Sequence, residues 1–308
     1  MQIGLLLGEL SNAGALGALA LEVETLGFDS LWAGDHIAFP APILDPLQTL
    51  ACFASRTQRI RLGTCVYLLA LRHPTVVAKM LSSLDFISGG RMTFGIGVGG
   101  EFPREFEASG VPVTERGART NEAINVLRRL WQGDQAEHAG KFFRFGPVRL
   151  KPPPVQPGGP PIWIGGRSDA ALRRAARLGD GYVGYLLDPS GFRQRFERIC
   201  AMAAELRRSE PSITGAVMTF AVIDRDRDAA VRQASAVLKA MYNRPMESAA
   251  DRYCVAGDAA ACREAVQRYA QAGVEHLILT PLAYRGGLPA QIHALAQALE
   301  LPASPRAV

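Results

Sequence analysis

Short apolar runs bounded by polar residues alternate with amphipathic stretches along most of the 308-residue chain. Ile3 to Leu7 reads as a first strand, and Ala15 to Leu26 as the helix after it, closed by Gly27 where a helix end favours glycine. The run from Ser30 to His36 is a second strand, and Asp45-Pro46 opens a helix that continues to Arg56, with proline at the first helical position. Ile60 to Val66 and Met92 to Ile96 follow as strands three and four, separated by a helix from Pro74 to Ile87 that stops at Ser88-Gly89-Gly90. Arg116 to Trp131 is helical.

From residue 138 to 159 the rhythm breaks. Lys141 to Phe145 alternates like an edge strand, and Lys151-Pro152-Pro153-Pro154 cannot be helical. It then resumes with strands at Pro161–Ile164, Gly181–Tyr185, Ile213–Ile223 and His276–Leu279, and helices at Asp169–Leu178, Phe192–Arg208, Asp228–Tyr242, Ala259–Ala272 and Leu288–Leu299. Residues 243–257 read as irregular. Eight alternating βα units predict one (β/α)8 barrel over residues 1–300, with a rim insertion at 138–159 and a short tail at 301–308.

Barrels of this kind carry their chemistry at the C-terminal ends of the strands, which selects a few residues. Strand two ends in Asp35-His36, an acid beside an imidazole suited to proton transfer; a capping acid and a solvated histidine is the plainer alternative. Strand three ends in Thr64-Cys65-Val66. With no base near it in sequence, Cys65 reads as a small buried hydrophobe rather than a nucleophile, while Arg72 beyond it is an anion contact candidate. Strand four runs into Gly95, Gly97 and Gly100 in GxGxxG spacing, although a dinucleotide fold places that pattern after its first strand. Glycines such as Gly97 and Gly99 also let a flat ring or a phosphate approach the backbone. Gly165-Gly166 precede a helix with Ser168 and Asp169 available as caps, which suits a phosphate, or are simple turn glycines.

Composition narrows the class. Apolar residues are 48% and charged residues 20%, which fits a chain with a large core. The net charge of +5 is spread over arginine-rich helices without interleaved aromatics, so nucleic acid is not an expected partner. Five scattered cysteines with no CxxC pair predict reduced thiols and no metal site. No basic leader and no membrane-length apolar run appears, so a cytoplasmic protein is expected. A two-domain NAD enzyme dividing near residue 150 is the reading that GxGxxG alone would support.

Taken in order, Asp35-His36, the strand Leu62 to Val66, Ser88 to Met92 leading into Gly95–Gly99, the stretch Phe106 to Arg116, Pro161–Gly166, Ala170–Asp180 and Tyr253–Gly257 resemble the luciferase-like monooxygenase superfamily, over nearly the whole chain. The resemblance implies a (β/α)8 barrel using the deazaflavin F420 or reduced FMN, and the Asp-His pair is similar to the F420-dependent branch. It implies His36 as proton donor or acceptor beside the ring, Asp35 as its orienting partner, and a non-proline cis peptide at Cys65-Val66 behind the ring. An acid after the glycine loop is implied as a general acid, which here is Glu101, displaced one residue by Gly100. Gly181 to Asp188 holds no cation, unlike branch members that grip a sugar phosphate.

The expected function is therefore hydride transfer between F420 and a small organic substrate. Reduced-FMN monooxygenation and a catalytically silent flavin-binding barrel stand as alternatives. Phe142, Phe143 and Phe145 in the insertion read as lid residues or as the contact of a homodimer.

Overall fold

Helix starts follow the capping chemistry that the sequence signals. In the computed structural model, which describes residues 1–7, 15–206, 208, 213–283 and 287–303, Asp45 caps helix α2 (Pro46–Arg56) by accepting from Leu47 N at 3.0 Å. Ser168 caps α6 (Asp169–Leu178) by accepting from Ala171 N, and Gly89 closes α3 (Pro74–Ser88) at φ +66°. Each cap satisfies an orphan backbone group and sets where the chain turns back towards the sheet.

Eight parallel strands close into a barrel. Going round, these are β1 (Gln2–Leu7), β2 (Ser30–Ala33), β3 (Arg61–Leu68), β4 (Met92–Gly97), β7 (Ile162–Gly165), β8 (Gly181–Tyr185), β9 (Thr214–Ile223) and β11 (His276–Pro281), with β11 pairing back to β1 and β8 to β9. Helices α1 (Leu16–Thr25), α2, α3, α5 (Arg116–Trp131), α6, α7 (Pro189–Glu205), α8 (Arg227–Tyr242), α10 (Ala259–Gln271) and α11 (Leu288–Ala298) connect them. The main core lies between the two layers, where Leu5, Leu31, Leu50 and Phe53 are fully buried. One closed barrel overturns the two-domain reading: GxGxxG lies at the end of a barrel strand, and no second sheet of dinucleotide-binding size exists among the described residues.

Three expectations need correction. Residues 243–257, expected to be irregular, contain α9 (Glu247–Tyr253) and the short strand β10 (Val255–Gly257), which pairs with the C-terminal end of β9 and packs a small satellite core with α8. The insertion is a hairpin of β5 (Ala136–Ala139) and β6 (Arg144–Val148) whose phenylalanines turn towards the core. Phe143 is buried, Phe142 and Phe145 pack against the core, and Glu122 on α5 accepts from the backbone N–H groups of Phe142 and Phe143. Within the expected tail, Leu301 packs against the core, while residues 304–308 lie outside the described residues.

Two tryptophans fill the barrel interior away from its mouth. Trp32 and Trp163 lie 5.2 Å apart between ring centroids, and a Cβ on Gly63 or Gly181 would fall 2.2 or 2.4 Å from their rings. The neighbouring strands must therefore carry glycine. The Trp32 indole donates to Ser30 Oγ (2.7 Å), Ser30 Oγ lies 2.6 Å from His276 Nε2, and His276 Nδ1 lies 3.0 Å from Gln2 Oε1, a chain that a neutral imidazole completes by accepting from Ser30 and donating to Gln2.

Burial, aided by the charge of Arg61, pushes His276 down to about 4. Because the folded value lies below the unfolded one, the unfolded chain binds more protons between the two, and stability falls as pH drops through that window. We expect a loss of about 2 kcal/mol between pH 7 and pH 5. Urea unfolding at both values checks it, with His276→Gln expected to flatten the difference.

Candidate active site

The C-terminal strand ends open into a cavity of about 410 Å3. Of the ten residues singled out in the sequence, nine line it; Arg72 does not. The barrel thus gathers groups scattered between residues 35 and 166.

His36 lies just beyond β2 and is partly exposed. Its Nδ1 donates to both oxygens of Glu105 at 3.0 and 3.1 Å, and the carboxylate also accepts from Ile37 N (2.6 Å) and Ala38 N (3.0 Å). Glu105, 1% exposed, thereby sets the tautomer of the imidazole and anchors the start of the following loop. With Nδ1 committed, Nε2 has no protein partner among the described residues and is the nitrogen left for chemistry. Phe39 from that loop stacks on the imidazole at 4.5 Å between centroids, and Phe102 meets it edge-on at 5.2 Å. These aromatic rings limit the room for water around it.

Asp35 is not the orienting partner of His36. The two groups are adjacent in sequence but bond to different partners. The Asp35 carboxylate is buried, accepts from Leu68 N (2.8 Å) and forms a two-pronged ion pair with Arg72 at 2.5 and 2.8 Å. Burial raises its pKa while the guanidinium opposes that rise. Arg72 also lies over the Tyr67 ring, 4.4 Å from the centroid. It locks strand β3 to the end of β2 and is not an anion contact of the cavity.

Glu101 also takes a different position from the one expected of an acid beside the ring. It sits at the cavity edge, half exposed, and pairs with Arg244 at 3.0 Å. The acid touching His36 is four residues later, on the short helix α4 (Pro103–Ala108), which the sequence reading omitted. The available signal was Pro103 at the first helical position, followed by an acid in the first turn.

The opposite wall is apolar and tightly fitted. The Cys65–Val66 peptide bond is cis, and β3 is irregular between Thr64 and Tyr67. Val66 packs where a Cβ on Gly97 or Gly165 would lie 2.4 or 2.8 Å from its methyl groups. Those two glycines are therefore required by the Val66 side chain itself, a tighter constraint than room for a phosphate. Burial pushes the Cys65 thiol up to about 12, so it stays protonated at neutral pH. Beyond Gly165, Gly166 at φ +131° leads to Arg167 and the Ser168-capped start of α6, where backbone N–H groups and a guanidinium lie together.

A parallel barrel with an oriented histidine, an apolar slab and a helix start at its mouth defines an enzyme that works on a bound small molecule. The model for the luciferase-like monooxygenase family matches residues 4–276, and the chain belongs to that family, whose members are F420- or flavin-dependent oxidoreductases and monooxygenases. Among relatives, an F420-dependent glucose-6-phosphate dehydrogenase of Nakamurella multipartita is 33% identical over 176 residues, covering 54% of this chain and 51% of its own. The oxygenase component of a flavin-dependent trigonelline monooxygenase of Acinetobacter baylyi is 33% identical over 155 residues, covering 50% and 43%. The monooxygenase RslO1 of Streptomyces bottropensis superposes with a TM-score of 0.84 at 25% identity, over 97% of this chain and 99% of that one. Among the described residues no helix is long and apolar enough to cross a membrane, and no cluster of three or more metal-binding side chains occurs.

Proposed function

We propose that this protein is an oxidoreductase that transfers hydride between F420 and a small organic substrate at the barrel mouth. The observation that carries this reading is His36, whose Nδ1 is held by buried Glu105 while Nε2 is left for a substrate. The cavity fits a tricyclic cofactor on physical grounds. Val66, seated against Gly97 and Gly165, forms a smooth apolar support for a ring, and the start of α6 with Arg167 suits a phosphate.

When bound, F420 supplies a two-electron hydride donor or acceptor that does not require oxygen. Hydride gained at a carbonyl carbon, or lost from an alcohol carbon, must be matched by a proton gained or lost at its oxygen, and His36 Nε2 gives or takes it. Glu105 orients the ring by accepting from Nδ1, which keeps Nε2 turned to the substrate. Asp35 and Arg72 act beneath, holding β2 and β3 so that His36 and Val66 keep their relative positions.

A second reading, reduced-FMN monooxygenation, draws on the flavin-dependent relative, since the same apolar support suits either ring. Titrating the purified protein with F420 and with FMN, followed by cofactor fluorescence, separates them. Saturable binding of F420, with substrate-dependent oxidation or reduction and no oxygen uptake, is the expected result. Binding of FMN alone, with oxygen consumed as substrate is converted, would reject the F420 assignment.

A further inference from the structure

On the cavity wall at the end of β8, Tyr185 meets Tyr242, the last residue of α8, with their hydroxyl oxygens 2.8 Å apart. Burial raises the pKa of both phenols, so each keeps its proton at neutral pH. Two hydroxyls carry two protons, and one hydrogen bond between them uses only one. No other protein acceptor for the remaining proton occurs among the described residues. A partly buried O–H without an acceptor is costly to leave unmade, and both residues line the cavity.

The surroundings define what that donor can meet. Met218, Phe220 and Met241 line the same region, and Arg167, 5.7 Å from the centroid of the Tyr185 ring, is the group matched above to a cofactor phosphate. The acids of the cavity are already matched, Asp35 by Arg72, Glu105 by His36 and two N–H groups, and Glu101 by Arg244. Phe39 stands between the phenols and the imidazole, stacked on His36 and edge-on to Tyr242 at 6.0 Å. The phenol pair therefore reads a part of the substrate other than the atom that reacts at His36.

We propose that Tyr185 and Tyr242 form a substrate subsite for a neutral oxygen acceptor, and that the substrate is an uncharged, largely apolar molecule bearing a carbonyl or hydroxyl oxygen away from its reacting centre. This substrate class rests on the mouth cavity being the substrate site of the function proposed above; the subsite itself does not depend on which cofactor is used.

Saturation-transfer NMR on the purified chain, with acetophenone, ethylbenzene and benzoate as probes, tests the subsite. Wild-type protein is expected to bind acetophenone about tenfold more tightly than ethylbenzene, as one net hydrogen bond allows. Tyr185→Phe with Tyr242→Phe brings the two to parity while leaving ethylbenzene affinity unchanged, which also reports that the cavity is folded. Either single variant frees the surviving hydroxyl and keeps most of the preference, and His36→Ala leaves it intact.

Parity in the wild type, a preference that survives the double substitution, or benzoate as the tightest ligand overturns the proposal, the last because it would make Arg167 the governing group. Cofactor titration is read separately. Absence of F420 binding alongside an intact acetophenone preference would reject the F420 assignment and leave the subsite standing.

Discussion

Replacing His36 by alanine is expected to lower turnover by about 10²- to 10⁴-fold, the range supplied by a positioned acid or base. Cofactor affinity should stay within a few fold, because the apolar support is built by Val66, Gly97 and Gly165. Glu105→Gln probes the same unit differently. The glutamine oxygen can still accept from Ile37 N and Ala38 N, but an amide NH2 facing Nδ1 donates where the carboxylate accepted. The amide at the nearer position drives the imidazole proton towards Nε2, the nitrogen turned to the substrate, and in that tautomer the neutral histidine can no longer take a proton there. Loss of a hundredfold or more in turnover is expected, as for wrong-tautomer variants of catalytic histidines. Steady-state kinetics over pH 5–9 would check this, with an altered pH profile for Glu105→Gln and near-flat residual activity for His36→Ala. An unchanged rate in either variant would remove His36 from the chemistry.

Asp35→Ala is expected to act on stability instead. It strands the Leu68 N–H and leaves the Arg72 guanidinium with only the longer contact to Asp45, 3.7 Å away. Removing one member of a buried ion pair costs about 3–5 kcal/mol, and the remaining Asp45 contact and the partial exposure of Arg72 put this loss at the lower end. A marked drop in the urea midpoint should follow, and Asp35→Leu combined with Arg72→Met should recover much of it, because the second change removes the stranded charge. Were Asp35 the partner of His36, alanine at position 35 would abolish turnover at nearly full stability. The two accounts thus predict opposite pairings of activity and stability.

Much of the molecule could be read along the chain because its signals are local. Strands β1, β2 and β4 are apolar runs ended by polar or glycine residues, and the caps at Asp45 and Ser168 act within three residues of themselves. Eight such units in sequence require a closed parallel sheet, and closure brings their ends to one mouth. Misreadings occurred where a local signal had two meanings. Phe102-Pro103 could break a helix or begin one, and beginning one turns Glu105 inwards. The hairpin phenylalanines could be exposed or packed, and Glu122 sixteen residues before His138 decides for packing.

By itself the sequence determined the barrel, its strand ends and His36 as a candidate for proton transfer, since each follows from periodicity, capping and residue type. The pairing of charges was decided only by the tertiary structure. Asp35 and His36 are neighbours in the chain yet bond to Arg72, 37 residues from Asp35, and to Glu105, 69 residues from His36. Residue type and local spacing carry no record of such distant partners, and only the closed barrel brings the segments that follow β2, β3 and β4 to one mouth, within hydrogen-bond reach.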